Sequence, residues 1–191
     1  VKVWAAGQPP ARPFMSLTLQ TWQVKARLAG VEPRRIYIAF PDLSGYGWVM
    51  PCDEDGRWWH VGAGHLFIDP AALAKWTLRR MGAEARFTAC SCGRPLTLTS
   101  PRLARTFYGG AYIIGEAAGA VHPLTGAGIV ESMASAYALW LSIKRGDAPK
   151  GYRDRMLKMF EAYDAMLDAA VEAAGARGLR GALAAFKLLA A

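Results

Sequence analysis

The sequence has no apolar run long enough to cross a bilayer, no signal-peptide pattern and few residues suited to metal binding or disulfides. Its three cysteines are an odd number, which argues against a disulfide framework. Its three histidines share no metal-type spacing, so we expect no metal site. The chain begins at Val1 rather than at a methionine. We therefore expect the C-terminal part of a longer, cytoplasmic protein.

Acidic residues are too few to balance the basic ones: 23 Lys and Arg face 15 Asp and Glu, which gives a net charge of +8. Such an excess favours anionic partners. The basic residues are scattered, however, and no nucleic-acid-binding motif accompanies them. We interpret the charge mainly as a contribution to solubility and expect no nucleic-acid partner. With 53% hydrophobic residues, the chain is able to build a substantial core.

Alternating apolar and polar residues predict that the first half of the chain is mainly β-structure. The strands are expected over 16–23, 35–40, 45–50, 57–67, 85–90 and 96–99. The polar segment 51–56 predicts a hairpin between the third and fourth strands. Asp69 as N-cap and Pro70 in the first turn predict a helix that continues to about Met81.

Helical periodicity takes over in the second half of the chain. Helices are expected over 127–145, 152–174 and 178–190, with Gly146 ending the first. We predict an α+β fold with an antiparallel or mixed sheet. Its three parts are a β-rich substrate-binding domain over 1–100, one strand and helix of a cofactor-binding domain over 101–146, and C-terminal helices over 147–191.

Residues 111–130 hold the most informative motif. A buried strand over 111–114 ends at Gly115 and a lone acid, Glu116, and very small residues follow. Pro123 breaks the path, after which Gly126, Ala127 and Gly128 open the long helix. Small residues let a flat ligand approach the backbone, and a helix start offers free N–H groups at its positive dipole end. The pattern suits a ligand with hydroxyl groups and an anionic edge.

A second motif lies on the predicted hairpin. Tyr46, Trp48 and Met50 share one face of their strand because side chains alternate. Gly62 and Gly64 lie on the facing arm, where missing side chains would leave space over the sheet. This face suits a hydrophobic ligand, and ordinary core packing is the alternative.

The two motifs together resemble those of FAD-dependent oxidoreductases of the para-hydroxybenzoate hydroxylase type, closest to their geranylgeranyl reductase branch. That branch carries Gly-Asp-Ala-Ala-Gly and Pro-Leu-Thr-Gly-x-Gly, which correspond to the stretch from Gly115 to Gly128. It also carries Tyr-x-Trp-x-Phe-Pro followed by Gly-x-Gly. The matching residues here are Tyr46, Trp48, Pro51, Gly62 and Gly64, with Met50 in place of Phe. The resemblance covers roughly residues 14–145.

The resemblance implies a role for each motif residue. Glu116 stands where an Asp usually accepts a hydrogen bond from the ribitol chain of FAD, and Pro123 would lie near the flavin ring. Backbone N–H groups of Gly126, Ala127 and Gly128 would face the pyrimidine side of the ring. Tyr46 and Trp48 would line the substrate pocket. No residue is assigned a catalytic role, and His122 and Cys52 are given none.

The implied activity is the transfer of hydride from reduced FAD to C=C bonds of a prenyl chain. The resemblance also implies the involvement of NAD(P)H in this activity. The helices after Gly146 would cover the pocket, and their amphipathic faces permit contact with a membrane surface. The alternatives are a flavin-dependent aromatic monooxygenase and a non-catalytic ligand-binding remnant that needs a partner FAD domain.

The fingerprint for the ADP part of FAD, Gly-x-Gly-x-x-Gly after a first strand, does not occur in the sequence. The expected partner is therefore a polypeptide that supplies the N-terminal FAD-binding half. Alone, the chain is expected to expose apolar surface, to bind FAD weakly or not at all, and to be inactive.

Overall fold

The structure is a computed structural model that describes residues 1–5, 16–42, 44–169 and 172. Its chain forms two compact units. The first consists of the described residues of Val1–Thr18 and Leu96–Ala176, and the second consists of those of Leu19–Pro95. The assignment of functions to 1–100, 101–146 and 147–191 stays a prediction.

The second unit is built on a five-stranded antiparallel sheet with the order β3-β4-β5-β2-β6. Its strands are β2 (Leu17–Ala29), β3 (Tyr37–Asp42), β4 (Gly45–Pro51), β5 (Trp59–His65) and β6 (Glu84–Leu98). The α+β class and the predicted hairpin, which is β4 and β5, are confirmed. The separation expected between the strands over 85–90 and 96–99 is wrong, because β6 continues through Pro95. A proline is tolerated there because β6 is an edge strand.

Helix α1 (Pro70–Arg80) covers one face of this sheet. It begins as the sequence predicts, since the Asp69 carboxylate accepts a hydrogen bond from the Ala72 N–H at 2.8 Å. A Cβ at Gly47 of β4 would collide with Thr77 of α1, so this glycine lets helix and sheet approach closely. The core between them consists of Val24, Ala26, Val49, Trp59, Val61, Ala63, Leu73 and Ala74.

The first unit contains a small sheet with the order β1-β8-β7, formed by β1 (Val3–Trp4), β7 (Phe107–Tyr108) and β8 (Ala111–Ile113). Strands β1 and β8 are parallel. The longer helices among the described residues of this unit are α2 (Ile129–Arg145) and α3 (Lys150–Met159). The phenol of the fully buried Tyr152 in α3 donates a hydrogen bond to the Ile113 carbonyl at 2.7 Å and ties α3 to β8.

Helix α2 ends at Gly146, which has a left-handed conformation with φ 69°. Its small side chains face inward, since Ser135, Ala138 and Ser142 are fully buried. Leu139 is buried as well, but six other large apolar side chains form an exposed row, which we call the α2 stripe: Ile129, Val130, Met133, Tyr137, Trp140 and Ile143. The expected exposed apolar surface is thus confirmed, and six of the thirteen exposed large apolar side chains in the described part of this unit lie on this one helix.

The helix expected over 152–174 begins earlier and is interrupted. Residues 150–159 form α3, Phe160 is a turn, and residues 161–169 are helical again. The helix expected over 178–190 lies outside the described residues. None of the helices in the described ranges combines the length and apolar character that crossing a bilayer requires.

Candidate functional site

The strand–glycine–acid motif folds into a sharp turn at the end of β8. Residues Gly115–Ala118 form a short 3-10 helix, and Gly119 ends it with φ 77°. A Cβ at Gly119 would collide with the backbone of Ser100, so both the conformation and the space require glycine. The Gly115 N–H donates to Ser135 Oγ at 2.8 Å, which fixes the turn against α2.

The carboxylate of Glu116 is half-buried at this turn. Its Oε1 accepts a hydrogen bond from the backbone N–H of Thr97 at 3.2 Å. The acid is therefore held in one orientation by the end of β6. A fixed carboxylate suits recognition of ligand hydroxyl groups, because it accepts hydrogen bonds in several directions.

The start of α2 offers backbone donors. Gly128 is the N-cap of this helix, and because glycine has no side chain to cap them, the first-turn N–H groups receive no side-chain hydrogen bond from it. The Gly126 N–H donates internally to the His122 carbonyl at 2.9 Å, and the Ala127 N–H makes a long contact of 3.3 Å with Thr125 Oγ1. The uncapped end of α2 is thus a feature of the motif that attracts anions.

A buried polar atom without a partner lies beside the motif. Among the described residues, Ser100 Oγ is buried and has no hydrogen-bond partner. Ser100 is the residue whose backbone contacts Gly119. An orphaned hydroxyl, a fixed carboxylate and an uncapped helix start are a donor and acceptor set that fits the polar, partly anionic side of a flavin.

His122 and two later residues form a small polar group near the start of α2. The His122 ring packs edge-on against Tyr163 with 5.2 Å between centroids, and its Nδ1 accepts from the Leu124 N–H at 3.3 Å. The Tyr163 hydroxyl donates to Glu131 Oε1 at 3.0 Å. Burial, together with the neighbouring carboxylate, raises the pKa of Tyr163 to about 12. Sequence analysis missed the contacts of Tyr163 with His122 and Glu131, because Tyr163 lies far from the motif along the chain.

The aromatic motif has the predicted strand register. Tyr46 stands directly opposite Gly64, and Trp48 directly opposite Gly62. The space over Gly62 is filled by Trp48 itself, because a Cβ there would lie 2.6 Å from Cζ2 of the indole. The indole ring extends across β5 toward β2, where its N–H donates a hydrogen bond to Gln23 Oε1 at 3.3 Å. Gly62 therefore serves to seat the indole, which differs from the open gap expected there.

Aromatic side chains make a continuous row on this face of the sheet. The rings of Phe40 and Tyr46 are 5.5 Å apart, and those of Tyr46 and Trp48 are 5.7 Å apart. Burial raises the pKa of Tyr46 above its usual value. Pro51 ends β4 opposite Trp59. Phe40 on β3 and Gln23 on β2 also belong to the face that carries Tyr46 and Trp48. The sequence did not predict this, because it depends on which strands lie side by side.

The structure thus brings the candidate residues together in two groups. Gly115, Glu116, Pro123, Gly126, Ala127 and Gly128 belong to the first unit, and Tyr46, Trp48, Pro51, Gly62 and Gly64 to the second. The three cysteines are free thiols, Cys52 half-buried and the other two exposed. Within the described ranges, no group of three or more His, Cys, Asp or Glu residues is placed to hold a metal ion.

Solved structures match this chain in fold. A geranylgeranyl bacteriochlorophyll reductase-like protein from Thermoplasma acidophilum matches with a TM-score of 0.58 at 18% identity, over 80% of this chain and 42% of that one. A flavin-dependent halogenase from Xanthomonas campestris matches with a TM-score of 0.53 at 14% identity, over 76% of this chain and 28% of that one.

This likeness concerns the fold, and the chain spans less than half the length of either protein. No protein-family model matches the sequence, and no curated protein matches it as a relative. The chain therefore shares its fold with a part of each of these two proteins.

Proposed function

We propose that the chain is the substrate-binding and flavin-ring portion of a FAD-dependent oxidoreductase that reduces C=C bonds of a prenyl or similar apolar substrate. The observation that carries this proposal is the strand register of the aromatic motif. Tyr46 and Trp48 lie opposite Gly64 and Gly62, in a chain whose fold resembles part of a geranylgeranyl bacteriochlorophyll reductase-like protein. The glycine-rich turn and helix start follow along the chain.

The residues of the first unit fit the ring half of FAD. Glu116, held by the Thr97 N–H, would accept hydrogen bonds from ribitol hydroxyls. The uncapped start of α2 at Gly128 would place N–H groups and a positive dipole end near the pyrimidine edge. Gly115 and Pro123 shape the turn that leads to this helix. When bound and reduced, FAD supplies the hydride, and the protein supplies binding and orientation.

The aromatic row of the second unit would orient the apolar substrate. Phe40, Tyr46 and Trp48 form a surface wide enough for an extended chain, and the Trp48 N–H is already satisfied by Gln23. Because no polar atom of Trp48 needs water, an apolar ligand can cover it at little desolvation cost. The neutral Tyr46 hydroxyl adds one polar group to this surface.

The ADP part of FAD needs a second polypeptide segment, because no Gly-x-Gly-x-x-Gly fingerprint occurs in the sequence. We propose that an N-terminal FAD-binding half is that partner and that it covers the α2 stripe. Parallel strands such as β1 and β8 normally belong to larger sheets with helices on both faces, which supports this arrangement. NAD(P)H as electron source and action at a membrane surface are further parts of the proposal.

Complementation with an FAD-binding half tests the proposal. The chain is mixed with a polypeptide that carries the fingerprint, and flavin binding is followed by quenching of flavin fluorescence. We expect binding only in the mixture. Under anaerobic conditions, the reduced mixture should then add two hydrogen atoms to each reduced double bond of a geranylgeranyl substrate, detected by mass spectrometry.

The other outcomes separate the alternatives. Oxygen consumption with a phenolic substrate and no prenyl reduction would favour a flavin-dependent aromatic monooxygenase. Apolar ligand binding without any flavin binding would favour a non-catalytic ligand-binding module. Stoichiometric flavin binding by the chain alone would contradict the need for a partner.

A further inference from the structure

The aromatic row of the second unit continues into a group of basic side chains. Trp48 stands opposite Gly62, and two residues further along these strands Met50 stands opposite His60. On the other side of β5, His60 stands opposite Lys25 of β2. Side chains alternate along a strand, so residues two apart share a face of the sheet. Lys25 and His60 therefore lie on the same face as Trp48, about 7 Å further along the strands.

Two cations surround one indole ring at this end of the face. Lys25 Nζ lies 5.1 Å from the ring centroid of Trp58, and the guanidinium carbon of Arg27 lies 4.7 Å from it. We call Lys25, Arg27 and His60 the basic end. Contact with an aromatic ring attracts a cation but leaves its charge in place. The two like charges therefore repel each other, and an anion bound between them relieves this repulsion.

The basic end has no carboxylate partner among the described residues, which include every Asp and Glu of the chain. Neither Lys25 nor Arg27 forms an ion pair there. Burial raises the pKa of the Cys52 thiol, Lys25 lowers it and Asp53 raises it again, so both charges lie near this thiol. The Asp53 carboxylate is turned to the backbone, however, where its Oδ1 accepts from the Arg57 N–H at 2.8 Å. The positive charge of the basic end is thus complementary to an anionic ligand.

His60 adds a hydrogen-bonding atom that the described part of the chain does not satisfy. Its Nδ1 is buried and has no partner there. A buried polar atom without a partner costs free energy, because it has lost water and gained nothing in exchange. An oxygen atom bound beside Lys25 supplies a partner once the half-buried ring of His60 rotates toward it.

An amphipathic ligand complements this face from end to end. The basic end attracts an anionic oxygen group, which the planar guanidinium of Arg27 is able to bind with two parallel hydrogen bonds. The half-buried side chains of Met50, Trp48 and Tyr46 follow in that order along β4. They extend over four residues, or about 14 Å. A purely apolar ligand would leave the two cations without a counter-charge, and a small anion would leave the aromatic row uncovered.

We propose that this face binds a single-chain amphiphile whose oxyanion head group lies at the basic end and whose apolar chain follows the aromatic row. The proposal rests on the substrate face proposed above, and it adds the charge of the substrate and the direction in which it lies. The head group is held by Lys25 and Arg27, and the chain passes over Trp48 toward Tyr46 and Phe40.

Calorimetric titration of the full chain tests the requirement for both parts of the ligand. Octyl phosphate, kept below its micelle concentration, is compared with octanol and with inorganic phosphate. We expect octyl phosphate to bind at least about tenfold more tightly than either of the others, because only it reaches both ends of the face.

A pair of double variants tests the position of the head group. Lys25→Gln combined with Arg27→Gln should raise the dissociation constant of octyl phosphate at least about tenfold. Binding of octanol should stay unchanged in this variant, which also shows that its fold is intact. Lys75→Gln combined with Arg79→Gln is the matched control, because it removes the same charge from exposed positions on α1, which covers the opposite face of the sheet. It should leave both dissociation constants unchanged.

The indole N–H signals of the tryptophans report the direction of the ligand in nuclear magnetic resonance spectra. Tryptophan-to-phenylalanine variants assign the signals. Octyl phosphate should shift the signals of both Trp58 and Trp48, whereas octanol should shift that of Trp48 alone. The signal of Trp76 on α1 should not move with either ligand.

Four results would overturn the proposal. These are equal affinity for octyl phosphate and octanol, inorganic phosphate binding as tightly as octyl phosphate, equal losses in the two double variants, and a shift of Trp76 while Trp58 stays unmoved. No flavin enters these titrations. Their failure would therefore leave the complementation test of prenyl reduction unaffected, and failure of that test would leave the binding result in place.

Discussion

Trp48 on β4 lies across Gly62 on β5, the residue directly opposite it, so that the absence of one side chain makes room for another. The indole uses this space to reach Gln23 on the next strand. An aromatic residue paired with glycine thus fixes the orientation of the largest ring on the proposed substrate face.

Gly62→Ala should displace the indole. Its Cβ would lie 2.6 Å from Cζ2 of Trp48 and 2.7 Å from the Trp22 carbonyl oxygen, which is backbone and cannot move aside easily. We expect a loss of about 1–3 kcal/mol in the free energy of unfolding, measured with urea, and a changed tryptophan emission. Gly64→Ala is the control, because its Cβ would contact only the Leu19 and Thr21 side chains at 3.1 and 3.3 Å. Equal losses in both variants would argue against this account.

Tyr152→Phe should destabilise the first unit. The hydroxyl donates to the buried Ile113 carbonyl at 2.7 Å, and its removal leaves that carbonyl without this donor. We expect a loss of about 1–3 kcal/mol in the free energy of unfolding. Tyr108→Phe should have little effect, since Tyr108 is 44% exposed. An unchanged midpoint for Tyr152→Phe would show that the hydrogen bond adds nothing.

Tyr163 should make stability depend on pH in the alkaline range. Its pKa of about 12 lies above the value near 10 expected in the unfolded chain. The unfolded state therefore loses this proton first, and the stabilising contribution is complete below about pH 10 and decreases as the pH rises toward 12. Urea unfolding measured at pH values from about 8 to about 12, in steps of about half a pH unit, gives the slope of the free energy of unfolding against pH. Tyr163→Phe should give a shallower slope, and an identical slope would contradict the contact with Glu131.

The α2 stripe should bind a hydrophobic dye. Met133 and Tyr137 are 69% and 56% exposed, and their replacement by lysine should reduce the fluorescence of bound anilinonaphthalene sulfonate. Phe67→Lys removes a similarly exposed side chain from the second unit and serves as the control. Addition of an FAD-binding half should suppress dye binding to the unmodified chain. Dye binding that survives both treatments would place the apolar surface elsewhere.

Local signals in the sequence predicted much of the second unit. Asp69 and Pro70 marked the start of α1, and alternation along β4 placed Tyr46 and Trp48 on one face. The continuation of β6 through Pro95 was missed, because the position of a strand in the sheet is not a local property.

Contacts between residues that lie far apart along the chain could not be predicted from the sequence. The hydrogen bond from Trp48 to Gln23 depends on β2 lying beside β5, and the link between Tyr163 and Glu131 joins two helical segments. In α2, periodicity predicted a helix, but it could not show that serine and alanine face inward while Met133 and Trp140 face out. Which face of a helix is buried depends on the surface that packs against it.

The Gly115 N–H joins the turn of the motif to Ser135, whose hydroxyl donates in turn to the Ser132 carbonyl within α2. A shift of this turn therefore cannot occur without a response in the helix. The Gly115 amide is, for that reason, a built-in sensor: its rate of exchange with deuterium should slow when the turn is held by a ligand and report occupancy without any label.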